Sequence, residues 1–279
     1  MLPIHVGLVT LSRRVRAADL SAAAAAMQVQ VTRDFAPLWN VTATVSAFPA
    51  LKNLPVGYWP VIIKDDIETP GAGGFHQDRN NQPYALVQYS DTWSLTVSHE
   101  TLEMLGDPTA NRLQGGPSPE DGTTQVQYLV EMCDPCEDSQ YAYSIDGIVV
   151  SDFITPNFYD AVTSRGARYS FTGAIPGPRQ ILSGGYISYM DPTDGHMRQQ
   201  IWPQGADAPE TKDLGPMDLG SGSLREWVDS RTAHPELEHG AAREVQSVKH
   251  AAARRKATAP VLAARAATLE QDIAAALAG

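Results

Sequence analysis

A chain of 279 residues with 43% hydrophobic and 19% charged side chains has the composition of a folded globular protein, long enough for one large domain or two modest ones. Its alanine run, Ala22–Ala26, falls far short of the roughly 20 apolar residues of a membrane helix, so no membrane span is expected. The net charge of −11 is uneven: residues 1–223 hold 13 basic against 25 acidic side chains, and the stretch from His99 to Asp160 carries twelve carboxylates and one base, Arg112. That field repels phosphate and attracts cations, which argues against nucleic-acid binding.

In chain order, Ile4 to Leu11 is rich in aliphatic and β-branched residues and predicts a buried strand. Leu20, Ala24, Met27, Val31, Phe35 and Leu38 recur at steps of three and four, which predicts an amphipathic helix. Strands are expected over Trp39 to Phe48, Tyr58 to Ile67 and Tyr84 to Tyr89, with the Thr-Pro-Gly-Ala-Gly-Gly segment at 69–74 as a loop between the last two. A second helix runs through Trp93, Val97, Glu100 and Met104 and stops at Gly106 and Pro108, with Asp91 as its expected N-cap.

Beyond that helix the chain is expected to be loop-rich, with short strands at Gln125 to Val130, Tyr141 to Ser144 and Ile148 to Val150. Residues 203–223, rich in Pro, Gly, Asp and Ser, predict a linker or extended surface segment. From Leu224 the composition shifts to Ala, Arg, Glu and Gln, and two helices are expected at about 236–257 and 261–277, broken at Pro260. The stripe of Leu262, Leu269, Ile273 and Leu277 would dock on the main domain or mediate self-association. The expected organisation is an α+β domain over 1–202, the segment 203–223 and a helical tail over 224–279. Nothing at the start of the chain reads as a secretory signal, leaving a cytoplasmic or virion-associated location open.

The chemistry concentrates in Ser98-His99-Glu100-Thr101-Leu102-Glu103. Positions four apart stack on one helix face, so His99 and Glu103 can converge on one cation, while Glu100 is rotated by about 100°. In H-E-x-x-H enzymes that glutamate faces the metal-bound water and acts as general base; Glu103 here replaces the second histidine, and carboxylate oxygen also binds zinc. The two cysteines, Cys133 and Cys136, form a lone C-x-x-C, which without a second pair is no zinc knuckle; a redox pair, a local disulfide or two ordinary thiols all fit, and structural thiols are the expectation.

His99-Glu-Thr-Leu-Glu103 with Asp107-Pro108, followed by Glu131-Met-Cys-Asp134-Pro-Cys136, resembles a group of bacterial and phage zincin-like proteins. These pair H-E-x-x-E-x-x-x-D-P with a later E-x-x-D-x-C. The resemblance covers roughly residues 1–160. It implies a zincin-like mixed sheet with an active-site helix, His99 and Glu103 as metal ligands, Glu100 as base, and Glu131 or Asp134 as the third ligand. It departs from better-known zincins in having Thr109, not histidine, ten positions after His99.

The functional expectation is a zinc-dependent peptidase or peptidase-like hydrolase acting on a peptide or protein. The alternative is a non-enzymatic assembly protein whose acidic site holds Ca²⁺; calcium prefers six or more oxygen ligands, so His99 favours zinc. Of three further candidates, Asp107 fits either a ligand or a turn cap, the turn being expected; His76 fits either the lining of the cleft or the surface, the surface being expected; and Met190, in Tyr-Ile-Ser-Tyr-Met-Asp, is expected to be an ordinary methionine and not a methionine turn beneath a metal.

Overall fold

The computed structural model describes residues 3–69, 71–217, 220 and 222–232. The two helices expected at 236–257 and 261–277, and the stripe that would support self-association, lie outside the described residues. The fold is α+β.

Among the described residues twelve strands follow the order β1 Ile4–Thr10, β2 Ala43–Ala47, β3 Tyr58–Lys64, β4 Gly74–Arg79, β5 Gln82–Gln88, β6 Leu113–Pro117, β7 Gln125–Leu129, β8 Tyr143–Ile145, β9 Ile148–Val150, β10 Tyr186–Asp191, β11 His196–Ile201 and β12 Glu210–Pro216. The first five make a mixed sheet in the order β2-β1-β3-β5-β4, parallel except for the antiparallel edge strand β4. A second, antiparallel sheet has the order β12-β11-β10-β7-β6, and β8 and β9 form a separate hairpin.

Helix α1, Ala17–Val29, continues through a widened π-helical stretch, Gln30–Phe35, into α2, Ala36–Trp39. The single periodicity read from Leu20 to Leu38 is thus one continuous rod that turns left-handed at Asn40. Met27, Val31 and Phe35 on this rod are fully buried in the same core as Val6, Leu8, Val61, Ile63, Ala85 and Val87 of the first sheet. Helix α3, Trp93–Gly106, adds Val97, Leu102 and Met104 to it. Burying one such side chain contributes about 1.5–3 kcal/mol, which fixes α3 against β3, β4 and β5.

Polar contacts then set the helix's position. Ser98 Oγ donates to Gln30 Oε1 (2.8 Å) and accepts from Ser151 N–H (2.9 Å), while Gln30 Nε2 donates to Ser151 O (2.9 Å). This buried triangle ties the π-helical stretch, α3 and the end of β9 together. Asp91 is not the cap of α3: Thr92 occupies that place without a side-chain cap, and Ser90 Oγ accepts its N–H instead.

Several elements differ from expectation. β4 follows directly on the predicted loop and joins β5 through Asn80 and Asn81, both at positive φ, the backbone of a tight hairpin. β10 and β11 fill a region expected to be loop-rich, β12 lies within 203–223, and Leu224–Arg231 forms a short helix, α4, with a complete capping box between Ser223 and Glu226. No helix among the described residues is long and apolar enough to cross a membrane.

A candidate metal centre

On α3, His99 Nε2 lies 3.2 Å from Glu103 Oε1, as the four-residue spacing predicts. The third group comes from the segment after β7, where Asp134-Pro-Cys136 makes a single 3-10 turn. That turn brings Asp134 Oδ1 to 3.1 Å from the same His99 nitrogen. The segment can approach because Gly106 ends α3: a Cβ there would meet Met132 Cε at 1.9 Å. Of the two acidic candidates in this segment, Asp134 is therefore the one beside His99. Glu131 places its Oε2 4.0 Å from His76 Nε2 and its Oε1 3.0 Å from the Arg225 nitrogen that also pairs with Asp134, and it groups with Glu103 and Asp134 within 4.8 Å.

His76 corrects the expectation of a surface histidine. It is 2% exposed and stands on the inward face of β4, with Nδ1 3.5 Å from Glu103 Oε2 and 3.8 Å from Glu100 Oε2. It reaches them because β4 presses closely on α3 at Gly74, where a Cβ would sit 2.7 Å from Glu100 Oε1 and 2.9 Å from Thr96 Cγ2. The alternation in Gly-Phe-His-Gln-Asp-Arg was the available signal, and it was hidden by the glycine-rich run before it.

Arg225 was also missed. It stands on α4, which is anchored where Asn111 Oδ1 accepts Leu224 N–H and Ala110 O accepts Arg225 N–H. Its guanidinium donates to Asp134 Oδ2 (2.9 Å), Asp229 Oδ1 (2.9 Å) and the Tyr186 hydroxyl (2.7 Å). The Ser-x-x-Glu capping signature at Ser223–Glu226 could have placed this helix. Glu137, whose buried Oε1 has no hydrogen bond, groups with His99 and Asp134 within 4.8 Å and was not anticipated either.

Asp107 takes the turn role, accepting Arg112 N–H at 2.6 Å. Met190 lies in β10 and packs in a small core with Leu129, Met197 and Leu224, so it is no turn beneath the cluster. Cys133 and Cys136 are free and buried. Burial first, then Glu103 for Cys133 and Asp152 for Cys136, pushes both thiols well above their ordinary range, so they stay protonated. Glu103 Oε1 accepts the backbone N–H of Cys133, not its thiol.

The electrostatics follow from packing four buried carboxylates, Glu100, Glu103, Glu131 and Asp134, around one guanidinium. Burial alone would lower the His99 pKa, yet Glu103, Asp134 and Glu100 overcome it and hold the group well above its ordinary value. His76 behaves likewise, burial being outweighed by Glu131, Glu100 and Glu103. Glu103 is held well below the carboxylate range, since His99, His76 and Arg225 outweigh its burial. Burial raises Glu100, with His76 and His99 opposing, and raises Glu131 strongly against Arg225.

Excess buried negative charge is costly unless protons or a cation balance it. Glu131 Oε2, Asp134 Oδ1 and His76 Nε2 are buried without a hydrogen bond. Such groups could bind a metal ion: among the described residues four sets of three converge within 4.8 Å, one of them joining Cys133 to His99 and Glu103. A cleft of about 410 Å³ opens onto the cluster and is lined by His99, Glu100, Gly74, Gln77 and Arg225 among others. Compared with protein-family models, curated proteins and solved structures, the chain finds no match.

Proposed function

We propose that the protein is a zinc-dependent hydrolase of the zincin type that acts on peptide bonds. The observation that carries this reading is the convergence of Glu103 Oε1 and Asp134 Oδ1 on His99 Nε2 at 3.2 and 3.1 Å, with His99 and Glu100 lining an open cleft. Ligand atoms about 2.0–2.2 Å from a tetrahedral zinc lie a little over 3 Å from one another, so the spacing suits that ion. The donor set, one imidazole and two carboxylates, and the unbonded Asp134 Oδ1 fit it too. Calcium, which seeks six or more oxygens, is poorly served by an imidazole at this point.

His99, Glu103 and Asp134 would hold the ion, which when bound polarises a carbonyl and brings a water pKa toward about 7. Glu100, adjacent on α3 and raised by burial, accepts the proton of the attacking water on a carboxylate oxygen and later delivers it to the leaving amine. Arg225 holds Asp134 through its other oxygen, keeping Oδ1 directed at His99. The peptide preference rests on β4: it pairs only with β5 among the described strands, and its Gly74, Phe75 and Gln77 line the cleft. An extended peptide can add to such an edge through main-chain hydrogen bonds.

The test combines elemental analysis of the purified full chain with cleavage of a mixed peptide library, for wild type and Glu100→Gln. The expected result is bound zinc in both proteins and hydrolysis reduced by about 10²–10⁴-fold in the variant. A wild type that binds no zinc overturns the reading. Zinc without any Glu100-dependent cleavage also overturns it, and leaves the ion a structural role.

A further inference from the structure

The two oxygens of Glu103 face two different histidines. Oε1 is 3.2 Å from His99 Nε2, and Oε2 is 3.5 Å from His76 Nδ1. A carboxylate so placed can bridge two cations about 3.5–4 Å apart. On the far side, His76 Nδ1, Glu103 and Glu100 offer three ligand atoms within 4.8 Å of one another, none of them used by His99 or Asp134. We infer that His76, Glu100 and Glu103 form a second divalent-cation subsite, distinct from the one at His99 and joined to it by Glu103.

Three observations support it beyond the clustering of acids. His76 is almost wholly buried, yet its Nε2 makes no hydrogen bond. That nitrogen stands 4.0 Å from Glu131 Oε2, beyond hydrogen-bond distance, which leaves Glu131 as the nearby carboxylate for the imidazole to lean on once Nδ1 holds an ion. The cluster also packs four buried carboxylates, Glu100, Glu103, Glu131 and Asp134, against a single guanidinium, Arg225, and buried negative charge is costly until protons or cations balance it. A zinc-class cation suits the imidazole and oxygen donors.

The inference rests on the proposed reading of Glu100 and gives it a control. An ion in the second subsite occupies the carboxylate that must accept the proton from water. Filling it therefore suppresses hydrolysis, so the enzyme is active with one ion and inhibited with two.

The test is stepwise addition of Zn²⁺ to metal-stripped full-length protein, with bound metal counted by elemental analysis and cleavage of a peptide followed in parallel. Wild type is expected to take up two ions, with hydrolysis falling by about 100-fold or more as the second binds. His76→Ala and the milder His76→Gln should take up one ion and, each measured against its own rate with one equivalent of zinc, show no further fall in hydrolysis at high zinc, with helical circular dichroism unchanged. One ion in wild type overturns the second subsite but leaves the proposed function standing, whereas none overturns both. Two ions in both His76 variants, or none in either, also overturn it, because His76 would then lie outside the second subsite or within the first.

Discussion

His99, Glu100 and Glu103 stand on one helix, whereas His76, Glu131, Asp134 and Arg225 come from an edge strand, a turn and a distant short helix. The first group is held together by helical spacing, and its geometry survives as long as α3 does. The second group meets only because β4, the segment after β7 and α4 pack on that helix. Ligand pairs within one helix tolerate changes elsewhere in the molecule; the opposite wall depends on the balance of buried charge across it. The two halves should therefore fail differently when altered.

The largest effect is expected on the helix side. His99→Ala should remove the ion held at His99 and abolish hydrolysis with it. With zinc a thousandfold above its Kd, the wild type is stabilised by about 4 kcal/mol by ion binding, and the variant should lose that increment. Calorimetry with and without zinc measures it. A zinc stoichiometry and a zinc-dependent rise in Tm both equal to those of wild type in His99→Ala would take the ion away from His99.

On the assembled side, Arg225→Met removes the guanidinium that pairs with Asp134 and Glu131. Leaving buried charges without their partner costs about 3–5 kcal/mol, read by urea denaturation of the metal-free protein. Zinc should restore part of this loss, because the ion takes over some of the compensation. A variant as stable as wild type would show that α4 is not needed to hold this wall.

The pH dependence joins the two sides. His76 and His99 are both raised well above their ordinary value in the folded protein. A raised histidine adds stability that is complete below the unfolded pKa of about 6.5 and is lost as pH climbs through the folded one. The metal-free protein should thus melt at progressively lower temperature above about pH 6.5. Glu103, lowered in the fold, contributes in the opposite sense, its share vanishing as acid protonates it. Zinc should reverse the alkaline trend, since its ligands bind it deprotonated. Thermal scans across this range with chelator and with zinc separate the curves; a metal-free Tm that climbs with pH contradicts the charge assignment.

The smallest change tests the seat of α3. Ser98→Ala strips the hydroxyl shared by Gln30 and Ser151, and leaving those buried groups unsatisfied costs about 1–3 kcal/mol. Zinc stoichiometry should stay unchanged, because His99 and Glu103 move together. A lost ion would mean that helix position, and not helical spacing alone, sets the pair.

The sequence by itself determined what repeats locally. The three- and four-residue steps from Leu20 to Leu38, the alternating strands of the first sheet and the His99–Glu103 pair are short-range patterns that a helix or strand enforces on its own residues. The α+β class followed from them. The family resemblance pointed to Glu131 or Asp134 as the third group, with Asp107 also open, and it is the turn at Asp134-Pro-Cys136 that brings Asp134 beside His99. His76 and Arg225 were decided wholly by tertiary structure. Each sits in a segment whose local composition suggests a loop or a surface, and each acquires its role only when a glycine contact or a capped helix carries it into a buried, negatively charged space. Charge compensation is a property of that assembled space and of residues more than a hundred positions apart, so no window along the chain contains it.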